Sequence, residues 1–279
     1  MASLSVIFID VGWGDSILIE YENKHGQKFY GLVDSNDNSE SLSSYTFIKQ
    51  HFELNKINYR DHPAFDFVLL THWHSDHYSG LKRIIRKFGT KNFWYPKSWS
   101  NSMSVLLKYA NRNDARIQLH EAVNKDKIPP KFGSDVELKF HWPPYTSNRP
   151  YDEKNPNNNS VVLELNYDGV RFMLTGDCQA ENWDKIIKNT NKTRIKLFQA
   201  PHHGAKNGMF TKGKTPWLDF LGQRTKIALS SHIQPHQHPH KDVIKQLVKK
   251  KRHHFRTDQH YHLEFMIENG KVKTKWSRF

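Results

Sequence analysis

The stretch Thr71-His72-Trp73-His74-Ser75-Asp76-His77-Tyr78-Ser79-Gly80 sets four metal-capable side chains within six residues, directly after the apolar run Phe67-Val68-Leu69-Leu70. That run is short, apolar and partly β-branched, so it reads as a buried strand with the histidine cluster at its C-terminal end. In a chain leaving a strand, residues two apart point the same way. His72 and His74 can therefore grip one ion, while Asp76 and His77, past the bend, face a second. Two imidazoles for one metal, and a carboxylate plus an imidazole for its neighbour, is an arrangement that dinuclear hydrolases use. The spacing is not that of a helical HExxH site. In a chain with 18 histidines the bland alternative is a polar loop with incidental imidazoles. The placement straight after a strand, as the chemistry requires, argues against it.

A chain of 279 residues is long enough for a well-buried core, and no linker separates independent domains, so residues 1–279 read as one domain. With 25% charged and 13% aromatic residues it is globular in composition and not a disordered tail. The single cysteine, Cys178, excludes an internal disulfide and favours a reducing compartment. No apolar run approaches the roughly 20 residues that span a bilayer, and no basic-then-apolar signal opens the chain. The expectation is a cytoplasmic protein without a membrane span. Its 42 Lys and Arg against 28 Asp and Glu give a formal charge of +14, which should draw it to polyanions, nucleic acid above all. The densest basic run is Lys249-Lys250-Lys251-Arg252-His253-His254; a solvated helix end, its cations facing the negative end of the dipole, is the plain alternative there. Nothing fixes an oligomeric state, so a partner protein or a homo-oligomer stays open.

Patterning predicts strands over 4–11, 17–21 and 29–34 around Gly12-Trp13-Gly14, a helix over 39–54, the strand over 67–70, a helix over 80–88, a strand over 93–95 and a helix over 102–111. The second half repeats the plan. Strands are expected over 136–142, 161–167, 170–174, 195–199, 227–230, 261–267 and 272–276, with helices over 180–188 and 243–251. Asp168-Gly169 and Asn269-Gly270 are hairpin turns. Two halves of similar content suit two facing sheets sandwiched by helices. Residues 143–159, rich in Pro and Asn, form a long loop, and long loops in compact domains tend to be functional.

The HxHxDH pattern after an apolar strand resembles the metallo-β-lactamase superfamily. Further segments, Asp10-Val11-Gly12-Trp13-Gly14-Asp15-Ser16, Asn157-Asn158-Asn159-Ser160, Leu174-Thr175-Gly176-Asp177 and Pro201-His202-His203-Gly204, are similar in kind and order to the soluble C-terminal domain of the ComEC family of competence DNA-uptake proteins. The resemblance implies an α/β fold, the four-layer αββα sandwich, and two divalent metal ions, zinc or manganese. It implies metal ligands at His72, His74, Asp76, His77, Asp177 and His238. Asp177, which ends the strand over 170–174, is the bridging candidate, and Thr175-Gly176 lets the chain turn there. One of His202 and His203 should face the site, to ligate metal or to protonate a leaving group, and both stand as catalytic candidates with Asp76. Asp15 and Asp34 would orient ligands or brace the site, and Lys206, His238 and His240 could contact a substrate phosphate. The sequence departs from the metallo-β-lactamase enzymes where a third zinc histidine is usual. Asn157, Asn158, Asn159 and Ser160 stand there, with Asn158 and Asn159 as candidate contacts. Amide oxygen in place of imidazole shifts preference from zinc toward manganese or magnesium. Trp73 and Tyr78 flank the cluster, as core aromatics or as a base-stacking surface.

The leading expectation is a metal-dependent phosphodiesterase, a DNase or broad nuclease. The alternative is a small-molecule metallohydrolase acting on a cyclic nucleotide, lactone, thioester or phosphorylated metabolite, since one fold serves many substrates. A binding module with a vestigial metal site is the third reading.

Overall fold

Leu4, Val6 and Phe8 of the first strand point to one face and Ile7 to the other, and all four are buried. A strand buried on both faces must lie between two layers. The computed structural model describes residues 2–37, 43–59, 62–96, 101, 104–108, 117–122, 132–144, 152 and 154–277. Strands β1 (Ser3–Phe8), β2 (Ile17–Glu22) and β3 (Lys28–Val33) form an antiparallel meander. Helix α1 (Ser44–Leu54) then carries the chain back, so that β4 (Phe65–Leu69) pairs with β3 in parallel. The single turn α2 (Ser75–Tyr78) and helix α3 (Leu81–Phe88) lead to β5 (Thr90–Pro96) and β6 (Gln118–Ala122), both parallel additions.

The second sheet runs from β7 (Glu137–Trp142) through β8 (Val162–Tyr167) and β9 (Val170–Leu174), antiparallel, to β10 (Ile195–Gln199), β11 (Lys226–Leu229) and β12 (His254–Arg256), parallel. Helices α4 (Trp183–Lys188), α5 (Lys206–Met209), α6 (Pro216–Phe220) and α7 (Lys241–Lys249) make its crossovers, and α8 (Thr257–His260) precedes the C-terminal strands. The hairpin β13 (His262–Glu268) and β14 (Lys271–Ser277) returns to the first sheet beside β1, giving the order β14-β13-β1-β2-β3-β4-β5-β6.

Three apolar clusters mark the three interfaces of an αββα sandwich. Between the sheets lie Val6, Phe8, Leu163, Leu165, Phe172 and Leu197. Outside the first sheet, Leu32 and Val68 meet Ile48 and Phe52 of α1 and Ile84 and Phe88 of α3. Outside the second, Phe198 and Ile227 meet Trp183, Trp217, Val243 and Leu247. The expected α/β four-layer fold is thus present. Among the described residues no helix is long and apolar enough to cross a membrane.

Most strands and both hairpin turns fall where the sequence pattern predicts. Asp168, Gly169, Asn269 and Gly270 all have positive φ, as two-residue turns between right-twisted strands require. Three differences have local causes. The first strand ends at Phe8, not residue 11, because Gly12 turns the chain at φ 70°. Strands β6 and β12 escape the pattern: Gln-Leu-His-Glu-Ala is largely polar, and His254–Arg256 is too short to show alternation. Helix α1 begins at Ser44, where the Ser43 hydroxyl accepts from the Thr46 N–H at 3.1 Å. The expected start of that helix at 39–42, and parts of the helix over 102–111 and of the loop over 143–159, lie outside the described residues.

Inside the second sheet, buried Glu164 accepts from Arg171 Nε at 2.8 Å and lies 2.7 Å from His141 Nε2. This contact, with Thr190 Oγ1 against His141 Nδ1 at 3.1 Å, gives His141 a structural place away from the metal strand. Burial alone would raise the Glu164 pKa, but the bonds from His141 and Arg171 hold it at about 2, against an ordinary 4.5. The carboxylate therefore stabilises the fold above pH 4.5 and loses that contribution as pH falls toward 2. Urea unfolding should show a loss of about 2 kcal/mol between pH 5 and 3 from this group. Glu164→Gln should be less stable at pH 7 and show a shallower fall in acid.

Candidate metal centre

Every strand that feeds the site ends at the same edge of the sandwich, the carboxyl ends of the parallel strands, where open α/β sheets place their ligands. After β4 the chain bends at His72 and Trp73 and is extended again at His74, which has φ −116° and ψ 147°. His72 Nε2 and His74 Nδ1 come within 3.1 Å of each other. The turn α2 then reverses the chain and brings Asp76 and His77 back to the same point. Asp34, at φ +57° just past β3, holds this segment. Its Oδ1 accepts from Thr71 N at 2.7 Å, and its Oδ2 from Thr71 Oγ1 at 2.6 Å and from His77 Nδ1 at 2.7 Å. With its Nδ1 so engaged, His77 turns Nε2 inward.

Asp177 arrives from the other sheet. Gly176 lets β9 turn at φ +48°, so close to Thr71 that a Cβ there would sit 2.8 Å from Oγ1. Gln199 Oε1 accepts from Thr175 N at 2.8 Å, and Ser160 Oγ from Asp177 N at 3.0 Å, which fixes the carboxylate. Its two oxygens face different partners. Oδ1 lies 3.4 Å from both His77 Nε2 and His203 Nε2; Oδ2 lies 3.5 Å from both His72 Nε2 and His202 Nε2. Asp76 Oδ2 completes the first group, 3.2 Å from His203 Nε2 and 3.6 Å from His77 Nε2. His203 Nδ1 is 3.1 Å from the Ser230 carbonyl, so that nitrogen carries the hydrogen. Asp15 Oδ2 accepts from Gln199 Nε2 at 2.7 Å, and its Oδ1 stands 3.7 Å from His203 Nδ1.

Burial lowers the pKa of His72, and the adjacent His77 adds to this; burial likewise lowers His74 and His202. It would lower His77 and His203 as well, but there the carboxylates prevail. Asp177, Asp76 and Asp34 hold His77 well above the usual histidine range, and Asp177, Asp15 and Asp76 push His203 up to about 9. Asp76 and Asp177 are held below the usual carboxylate range despite burial, chiefly by His77 for Asp76 and by His203 for Asp177. Asp15 Oδ1, His77 Nε2, Asp177 Oδ1 and His203 Nε2 are all buried and make no hydrogen bond. Buried polar atoms converge like this only when something else satisfies them. The sets His72, His77 and Asp177, and Asp76, His77 and His203, each place ligand atoms within 4.8 Å of one another. Imidazole and carboxylate donors at that spacing fit divalent cations.

The residues read from the sequence divide accordingly. His72, His74, Asp76, His77, Asp177, His202 and His203 meet in one cluster, with Asp15 and Asp34 buried against it. His238 lines the cavity above, its ring 5.8 Å from that of His202 and its pKa lowered to about 4 by burial and the neighbouring His203 and His202. Four candidates stand apart. Lys206 is exposed and pairs with Asp242 at 3.2 Å. His240 caps α7, its ring accepting from Asp242 N. Asn158 bonds Asp152 and Glu181, and Asn159 bonds the Asp152 carbonyl. Asn157 is instead the amide that reaches the site, with Nδ2 3.4 Å from His202 Nε2 and a buried Oδ1 that makes no hydrogen bond. Trp73 is buried in the core beside Tyr78. Sequence reasoning passed over Gln199, a polar residue closing an apolar strand, and over Trp13 and His236 at the cavity mouth. In the basic run, Arg252 is buried and donates to the carbonyls of Leu218, Leu221 and Gly222, so that cation is structural.

The cluster floors a cavity of about 310 Å³ lined by Trp13, His74, Ser75, Asp76, Asp177, His202, His203, His236 and His238. The chain belongs to the beta-lactamase superfamily, whose domain model matches residues 37–200, and is a metal-dependent hydrolase of that class. More particularly, it is similar to ComE operon protein 3 of Bacillus subtilis (strain 168), 24% identical over 272 residues and covering 95% of this chain. The match takes in 33% of that protein, so the chain spans about a third of its relative's length. Among solved structures it is similar to the metallo-beta-lactamase fold protein YhfI of Bacillus subtilis, with TM-score 0.55, 12% identity, and 98% and 100% of the two chains covered. A metallo hydrolase from the hyperthermophilic archaeon Ignicoccus hospitalis gives TM-score 0.51 at 14% identity, with 98% of each chain covered. At these identities the structures speak to the fold.

Zinc or manganese should raise the melting temperature of chelator-treated protein, and Asp177→Ala should erase that rise. Asp34→Ala, which frees the His77 ring, should weaken cation binding by about 10–100-fold in titration calorimetry.

Proposed function

We propose that the chain is a phosphodiesterase that hydrolyses nucleic acid, a DNase or broad nuclease, with two divalent ions, zinc or manganese, as cofactors. The observation that carries this reading is the pair of Asp177 oxygens, each facing its own set of imidazoles. His72, His74 and Asp177 Oδ2 would hold one ion, and Asp76, His77, His203 and Asp177 Oδ1 the other. Ions bound there would polarise a phosphate and lower the pKa of a water. His203 thus serves as a ligand in this reading, rather than as a proton donor. His202, neutral near pH 7 and half-open to the cavity, and His238 beyond it are placed to contact the leaving oxygen or a phosphate. Asp76, held ionised, is the candidate base.

The charge of +14 supports a polyanionic substrate, as does the likeness to ComE operon protein 3 with its ordered motifs. The buried free thiol of Cys178 suits a reducing, cytoplasmic setting. A second reading, a small phosphodiester or ester as substrate, draws on the modest cavity volume.

Single-stranded DNA, duplex DNA and RNA, each incubated in manganese, magnesium and zinc buffers, should be cut by the wild type and left intact by Asp177→Ala. If two ions bind and no polynucleotide is cut, the small-molecule reading takes its place. An amide at position 157, where an imidazole would add a nitrogen donor, shifts the relative preference from zinc toward manganese. Asn157→His should therefore raise zinc affinity relative to manganese, as read by competition between the two ions.

A further inference from the structure

Among the described residues, Trp73, Trp142, Trp183 and Trp217 are buried in apolar clusters and Trp94 packs against one, while Trp276 lies exposed on the last strand. Trp13 joins none of the three clusters and stands half-buried in the wall of the metal cavity. Its backbone has little freedom to be elsewhere. Gly12 N donates to Asp10 Oδ1 at 3.0 Å, and the Trp13 carbonyl accepts from Asn36 Nδ2. Gly14, at φ +106°, lies so close to the metal segment that a Cβ there would meet the Asp76 carbonyl oxygen at 2.4 Å. Asp15 N then donates to that same oxygen at 3.1 Å. The turn that places Asp15 thus fixes the Trp13 backbone close to the metal segment, and Trp13 lines the same cavity as Asp76.

Across the mouth the His236 ring lies 5.1 Å from the Trp13 ring, with planes inclined at 54°. His238 follows at 6.0 Å from His236, and His202 at 5.8 Å from His238. A row of four rings thus leads from the outer rim to the Asp177 carboxylate. The floor of the cavity suits a phosphate with its counter-ions; the rim offers a broad, apolar π surface. A ligand that matches both carries a planar, uncharged ring next to a phosphodiester. Paired bases in a duplex keep their faces stacked on one another, so only an unpaired base can turn its face to such a surface.

We infer that Trp13, backed by His236, is a base-stacking platform that directs the enzyme to polynucleotide with an unpaired base beside the bond cut. This rests on the phosphodiesterase reading above. Base–aromatic stacking contributes about 1–3 kcal/mol per base by alanine substitution, or roughly five- to 150-fold in affinity.

The test uses the metal-loaded protein, titrated with a fluorescent single-stranded oligonucleotide whose phosphorothioate linkages resist cleavage and with an abasic oligomer of equal length, linkage and charge, in deoxyribose and ribose forms. The base-bearing oligomer should bind at least fivefold more tightly. Adding Trp13→Ala should bring its affinity down to that of the abasic oligomer, Trp13→Phe should recover most of the difference, and His236→Ala, on an exposed loop, should lose part of it. In the otherwise wild-type enzyme, Trp13→Ala should raise KM for single strands more than it lowers kcat. Equal binding of the two oligomers, or base preference intact in Trp13→Ala, overturns the platform and leaves the nuclease reading standing if wild type still cuts. Neither binding nor cleavage of any polynucleotide by wild type overturns both.

Discussion

Burying four carboxylates in one place is the constraint that the rest of this molecule answers. Asp15, Asp34, Asp76 and Asp177 are each 5% exposed or less, where unneutralised charge costs several kcal/mol per ion. They are met by three different means. Asp34 is satisfied within the protein by Thr71 and His77, Asp15 in part by Gln199, and Asp76 and Asp177 by the imidazoles of His77 and His203. The last two carboxylates are those whose neighbours keep nitrogen atoms turned inward without hydrogen bonds. The fold thus spends its internal hydrogen bonds on orientation and leaves one face of the cluster for cations.

What a linear pattern can show depends on how local the geometry is. His72, His74, Asp76 and His77 were legible because one strand end and one helical turn set all four side chains. Asp177 was legible as a carboxylate at a strand end. His202 and His203 could not be separated by sequence, since both take positive φ and only the Ser230 carbonyl decides which ring is held facing Asp76. The choice among Asn157, Asn158 and Asn159 is likewise made by the tight 3-10 turn of Pro156–Asn159, which aims one amide at His202 and sends two toward Asp152. Lys206 and His240 carry the motif but are taken up by Asp242 at the start of α7. Gln199 was illegible because its partners, Thr175 and Asp15, lie far off along the chain.

The distribution of positive charge shows the same division between pattern and place. The run at Lys249–Arg252 looks like a uniform basic patch in sequence. In the fold, Arg252 closes the end of α6 from inside and Lys250 pairs with Asp219 at 3.1 Å, so its members do different jobs. An excess of charge as large as this one acts through the long-range field of the whole molecule more than through any single cluster.

The pairing of β1 with β13 sets Leu4 against Ile267 and lets Ser5 Oγ donate to Glu264 Oε1 at 2.9 Å, 259 residues away in sequence. During synthesis, β1 therefore meets its second neighbour only after the 259 residues that separate Ser5 from Glu264 have been added. Until then one edge of the larger sheet is open, and an open edge of buried-type strand is a template for pairing with other chains. Contacts this distant in sequence also slow folding, because loop closure must precede their reward. The lysines on alternate residues of β14, Lys271, Lys273 and Lys275, finally supply a charged border that blunts that edge once the sheet is complete.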